Sequence, residues 1–396
     1  MKTKRLTTMG VIAAFVLAAC APIQTGSTVS ITAAPTVAST HTPGLTPSAS
    51  ATQAQAPTPQ SSTALYRGFV VYDEGTAQFT AYDFQGEPLN FTVSARHQQV
   101  WRAPDETQVV GDAIYYRDED QTIVRADADG TRKLSGIPAE NLSVFKVSPD
   151  ETMIAWTSNL WDQTPPQSEL WIANLDGSNA RKVATSTTDA SSELFVPTPY
   201  RWTDDGKLLY VETPTGIGGY ILYRAYSSLH VFDPGTGEIR PLYQPEDKYS
   251  VCLSDVASDL SRVGFGCGEG GAGRVSILTL ADGKTTPVPD LAEQGQAGST
   301  RFSPSGAWLA YAIARGDPER ERGQVAVVPT DLSAAPTVIA SQDGGFYDVI
   351  NWIDEDTLLL FLTREGQGSV WRIGHDGSDP MQLATGSYVV GMLANK

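Results

Sequence analysis

The stretch FKVSPDETMIAW, residues 145–156, can be read in two ways. Ser148 and Asp150 are either a fragment of serine–acid chemistry or the polar residues of a tight turn between two strands. Pro149 pre-sets φ for the second position of a type I turn, and Ser and Asp side chains bond neighbouring backbone N–H groups. Partial copies stand elsewhere: RWTDDGKLLYV at 201–211 and RFSPSGAWLAYA at 301–312, with a degenerate SDLSRVGFG in between. A group that recurs once per repeat belongs to the architecture, so the stretch reads as a turn.

Working outward, short β-rich runs recur from Leu65 onward. They include GFVVYD (68–73), DAIYYRD (112–118), KLLYVET (207–213), WLAYAIA (308–314) and TLLLFLT (357–363). A second run then ends in a glycine turn, as in LWIANLDGS and VWRIGHDGS. Runs this short, rich in Val, Ile, Leu and aromatics and bounded by turn residues, are strands and not helices. The turn glycines fall at Gly86, Gly130, Gly177, Gly237, Gly283 and Gly377, with Ser333 in the equivalent place of the sixth unit. Their spacing averages about 48 residues, a propeller-like period. The expected fold is all-β, a seven-bladed β-propeller of four-stranded blades, with six and eight as neighbouring counts. The first unit lacks an innermost strand. The extra run SYVVGML (387–393) can supply it and close the ring, which removes exposed edges.

The order Ser-Pro-Asp, apolar strand, loop, apolar strand, Asp-Gly and a basic residue resembles the TolB-type (WD40-like) propeller repeat. The resemblance covers most of 139–393 and implies the fold. In TolB an α/β domain precedes the propeller. Here an uncharged segment stands in its place, so the partner of TolB does not carry over.

That segment, 21–64, has Ser, Thr, Ala, Pro and Gln but no Asp, Glu, Lys or Arg. It cannot assemble a core and reads as a disordered tether. Before it, Lys2, Lys4 and Arg5 precede an apolar run from Gly10 to Ala19 that is too short to span a membrane. Leu17-Ala18-Ala19-Cys20 resembles the bacterial lipobox, which implies a signal peptide over 1–19, lipidation of Cys20 and a membrane-anchored, extracytoplasmic protein of the cell envelope. The propeller would then occupy 65–396. With 45 acidic and 28 basic residues the chain carries −17, which disfavours a nucleic-acid partner.

Cys252 and Cys267 lie at mirror positions about a turn near 259–260. Cross-strand neighbours of that kind match disulfide geometry, the alternative being two free thiols. Catalytic and metal signatures are sparse. The four histidines, His41, His97, His230 and His375, form no paired motif, and no cofactor is expected. Asp127-x-Asp129-Gly130 reads as a turn, because Arg125 falls where a calcium loop needs its first acid. The loops between second and third strands are irregular, and binding usually resides in such loops. Trp161, Tyr220, Tyr223, Arg224, Tyr226, Arg320 and Arg322 are therefore the expected contacts for an envelope protein, a peptide or a glycan. An envelope lyase or hydrolase with a channel site near His97, and an assembly scaffold, are the alternatives.

Overall fold

A computed structural model of the chain describes residues 65–95, 107–188, 194–215, 226–246, 253–267, 274–291, 295–315 and 322–395. All regular structure among them is β. The first blade holds β1 (Tyr66–Asp73), β2 (Gln78–Tyr82) and β3 (Pro88–Ser94). The second holds β4 (Thr107–Val110), β5 (Ala113–Arg117), β6 (Ile123–Asp127) and β7 (Gly130–Lys133). The third holds β8 (Leu142–Val147), β9 (Met153–Leu160), β10 (Gln167–Asn174) and β11 (Arg181–Thr187). The fourth holds β12 (Phe195–Trp202), β13 (Leu208–Pro214), β14 (Leu229–Phe232) and β15 (Ile239–Tyr243). The fifth holds β16 (Leu253–Val256), β17 (Arg262–Cys267), β18 (Arg274–Thr279) and β19 (Lys284–Pro287). After these come β20 (Gln296–Phe302), β21 (Trp308–Arg315), β22 (Arg322–Pro329), β23 (Thr337–Asp343), β24 (Gly345–Trp352), β25 (Thr357–Arg364), β26 (Gln367–Gly374), β27 (Met381–Gly386) and β28 (Tyr388–Ala394).

The sheet count departs from the seven separate blades that the repeat spacing predicts. Five four-stranded sheets stand apart, and β20–β27 form one eight-stranded sheet. The join is a single parallel pair, Arg322 with Gly345. It exists because two glycines meet there. A Cβ on Gly323 would stand 2.6 Å from the carbonyl oxygen of Gly345, so only bare backbone can approach this closely. On either side of the join β20–β23 and β24–β27 are antiparallel meanders.

Ring closure follows the sequence reading. β28 pairs with β1, from Tyr66 opposite Ala394 to Tyr72 opposite Tyr388. Ser387 ties the seam twice: its N–H donates to Tyr72 O and its Oγ accepts from the Glu74 N–H, both at 2.8 Å.

The core lies between sheets. Apolar runs on inner and middle strands point both ways, so each sheet packs on its neighbours. Ala310, Val325, Val349, Trp352 and Leu360 join the two halves of the eight-stranded sheet face to face. Phe69, Val71, Leu359, Phe361 and Val389 join its second half to the first blade. Burying an aliphatic or aromatic side chain of this size contributes about 1.5–3 kcal/mol, which makes these clusters the main cohesive term.

The opening stretch is the turn from β8 to β9. Ser148 Oγ donates to Asp150 Oδ1 at 2.6 Å and accepts from the Met153 N–H at 2.9 Å. The Glu151 N–H closes on Ser148 O at 2.9 Å. All six glycines used to measure the period adopt left-handed φ, between 68° and 127°. In the sixth unit Leu332 (φ 56°) takes that conformation, and Ser333 does not.

Candidate ligand channel

Aligning the blades on the first turn places one residue of each of five innermost strands, β8, β12, β16, β20 and β24, at the same level. It precedes the buried residue that ends the strand: Lys146 before Val147, Arg201 before Trp202, Asp255 before Val256, Arg301 before Phe302 and Asn351 before Trp352. All five line a single cavity of about 730 Å³. Tyr66, Tyr200 and Tyr226 add aromatic surface, and Asp204, Ser258, Ser303 and Pro304 of the first-turn loops form its rim. The cavity is therefore a channel seat walled by β8, β12, β16, β20 and β24, and it opens at the face of the Ser-Pro-Asp turns. The sequence reading looked to the opposite, irregular-loop face.

The wall is held by bonds between blades. Trp202 Nε1 donates to Lys146 O and Trp352 Nε1 to Arg301 O, each at 2.9 Å. The two indoles occupy equivalent positions and grip the equivalent carbonyl of the preceding inner strand. Arg201 Nη2 donates to Ala257 O at 2.8 Å. Arg301 donates through Nε to Ile350 O at 3.1 Å and through Nη1 to Thr300 O at 2.8 Å. Neither guanidinium forms an ion pair with a described residue, so carbonyl oxygens orient them without neutralising them. Asp255, buried at 7% exposure, is otherwise engaged: Oδ1 accepts from Tyr200 OH at 2.8 Å and Oδ2 from the Phe302 N–H at 2.9 Å. Burial, with the Asp255 charge beside it, pushes the Tyr200 hydroxyl well above its ordinary pKa, so it is a hydrogen-bond donor and not a base. For Arg301 burial opposes the charge, but nearby negative charge, that of Asp255 foremost, outweighs it and the cation is retained.

A second cavity of about 1200 Å³ lies beside the first, among the first four blades. Several of its charged groups pair with one another. Arg125 pairs with Glu151 through Nε at 2.6 Å and also with Asp127, and Tyr115 OH donates to Glu151 at 2.6 Å. This braces the second blade to the third and explains Arg125 better than a cation loop does.

The expected site residues scatter. Trp161 is 51% exposed on the loop after β9. Tyr226 belongs to the channel wall, where it exchanges backbone hydrogen bonds with Leu253 and meets Tyr200 edge-on at 5.5 Å. Arg322 bonds Ser341 Oγ at 3.2 Å and Asp343 at 3.3 Å beside the glycine join, a role within the sheet. Cys20, Tyr220, Tyr223, Arg224, Cys252, Arg320 and His97 lie outside the described residues, as does the side chain of Cys267. His230 stacks on Tyr210 at 4.7 Å and shares a hydrogen bond of 3.0 Å with Ser228 Oγ. Burial pushes its pKa down, although Glu212 pulls the other way, so it is neutral and structural. His375 packs on Trp308 at 4.8 Å. Among the described residues no group of three or more His, Cys, Asp or Glu could hold a metal ion. The girdle residues that sequence reasoning missed are Lys146, Arg201, Asp255, Arg301 and Asn351. The signal was available: one position before the strand-ending residue, read down the aligned repeats.

Neither a protein-family model nor a curated protein matches the sequence. Solved propellers do match the structure. An oligogalacturonate lyase in complex with manganese is similar at TM-score 0.50 and 13% identity, over 81% of this chain and 84% of its own. A prolyl endopeptidase matches at TM-score 0.50 and 12% identity, over 82% of this chain and 50% of its own. TolB from Acinetobacter baumannii gives 0.39 and 12%, over 80% and 78%. At such identities the likeness is one of fold alone.

Proposed function

We propose that the chain is a lipid-anchored, extracytoplasmic binding propeller that holds its ligand non-covalently at the channel seat. The carrying observation is the seat itself: a cavity of about 730 Å³ with three tyrosines and two guanidiniums that no described carboxylate pairs. Ligand seats of roughly 300–1,000 Å³ with aromatic walls and a few convergent polar groups are the usual form of a small-molecule site. Trp161, on the opposite face, is a second contact, for an envelope protein, a peptide or a glycan. In this reading the eight-stranded sheet counts as two blades in a ring of seven, because its halves pack face to face as separate blades do. Lipidation of Cys20 and a Cys252–Cys267 disulfide belong to the same proposal.

A photo-crosslinking residue placed at Asp204, on the channel rim, and separately at Trp161 tests the assignment in intact cell envelopes. Adducts at position 204 support the channel. Adducts at 161 with none at 204 would move the site to the loop face.

A further inference from the structure

We infer that the channel seat takes a small organic anion with two or more carboxylates, an inference that rests on the channel reading above. Four observations carry it. First, the girdle that lines the cavity is Lys146, Arg201, Asp255, Arg301 and Asn351, and with Asp204 on the rim the cavity sets three cations against two acids, inside a chain of net charge −17. An excess of positive charge at one enclosed level of an acidic protein marks a place where an anion is favoured.

Second, Asp255, the acid within the girdle, does not cancel the cations at hydrogen-bond range. Both Asp255 oxygens are taken, by Tyr200 OH at 2.8 Å and by the Phe302 N–H at 2.9 Å. Third, the arginines keep donors in reserve. Arg201 uses Nη2 on Ala257 O, leaving Nε and Nη1 without an acceptor among the described residues. Arg301 uses Nε and Nη1 on backbone oxygens, leaving Nη2. Fixed guanidiniums with unused N–H groups favour carboxylate, since charge-assisted bonds are roughly twice as strong as neutral ones.

Fourth, spacing favours two separate anionic ends over one compact dianion. Arg201 is on β12 and Arg301 on β20, with the inner strand of the fifth blade between them. Two singly charged donors on alternate blades match two carboxylates joined by a carbon skeleton. The faces of Tyr66, Tyr200 and Tyr226 supply apolar surface for that skeleton.

Calorimetric titration of the full-length protein with tricarballylate and glutarate, with the uncharged glutaramide and with hexaglutamate tests the inference without any mutation. The acids are expected to bind, the amide at least tenfold more weakly, and affinity for the acids to fall as salt rises. Arg201→Gln and Arg301→Gln, which keep hydrogen-bond capacity, are each expected to weaken the acids about tenfold. Near-UV dichroism of Trp202 and Trp352 reports whether the wall is intact in each variant. Equal binding of acid and amide would overturn the inference while leaving the channel reading standing. Acid binding unchanged in both folded variants would overturn both. Binding of hexaglutamate with none of the free acids would overturn the assignment to a small anion, as would no binding of any acid at millimolar concentration.

Discussion

Glu151 holds a left-handed backbone, φ 55°, at the place where the repeat carries glycine in TDDGK and SPSGA. For an L-residue that conformation costs roughly 1–2 kcal/mol. It persists because the side chain reaches Arg125 and Tyr115 on the neighbouring blade. Glu151→Ala keeps the strained backbone and loses those bonds, and is expected to lower stability by about 1–3 kcal/mol. Glu151→Gly loses the same bonds but relieves the backbone, and should be roughly 0.5–1 kcal/mol less damaging once glycine's larger unfolded-state entropy is counted. Urea titration of both variants measures the difference. Burial pushes the Glu151 carboxyl up, but Arg125 and Tyr115 overcome this and hold it below the ordinary glutamate value. A depressed folded-state pKa stabilises above the unfolded value and is lost as pH falls through the folded one. Wild type should therefore lose more stability on acidification below the glutamate range than Glu151→Gln does, as thermal melts would show. The turn at Ser148 was legible from local chemistry. The partner of Glu151 was not, because Arg125 lies 26 residues away and meets it only through the packing of two blades.

At the scale of strands, equivalent residues do equivalent work. Trp202 and Trp352 end their strands and peg the preceding inner strand by an indole N–H. Trp352→Phe keeps the apolar bulk in a site 1% exposed and leaves Arg301 O without its donor. A loss of about 1–3 kcal/mol is expected in denaturant titration. Should the variant be as stable as wild type, the peg has no structural weight. The strands themselves were legible, since period and turn residues agree. The join between β22 and β24 was not: nothing in RGQ or GGF marks two glycines for contact until the sheets stand side by side. The channel girdle was legible in principle, but its side chains differ from blade to blade, and only the register exposes them as one level.

At the scale of the whole chain, two expectations concern its ends. Cys20→Ala should shift the protein from the membrane fraction to the soluble one, and retention in the membrane fraction would remove the lipid anchor from the reading. Deleting 387–396 takes away β28 and leaves β1 with a bare edge of N–H and C=O groups. That protein should elute as aggregates in gel filtration.

The bond between Glu74 and Ser387 spans 313 residues. A polypeptide emerges from its N-terminus, so β1 is the first strand made and must wait for nearly the whole array before its partner exists. The seam thus acts as a check on completeness. Any product interrupted inside the array keeps an open edge that chaperones and proteases can recognise, and only a finished chain can hide it.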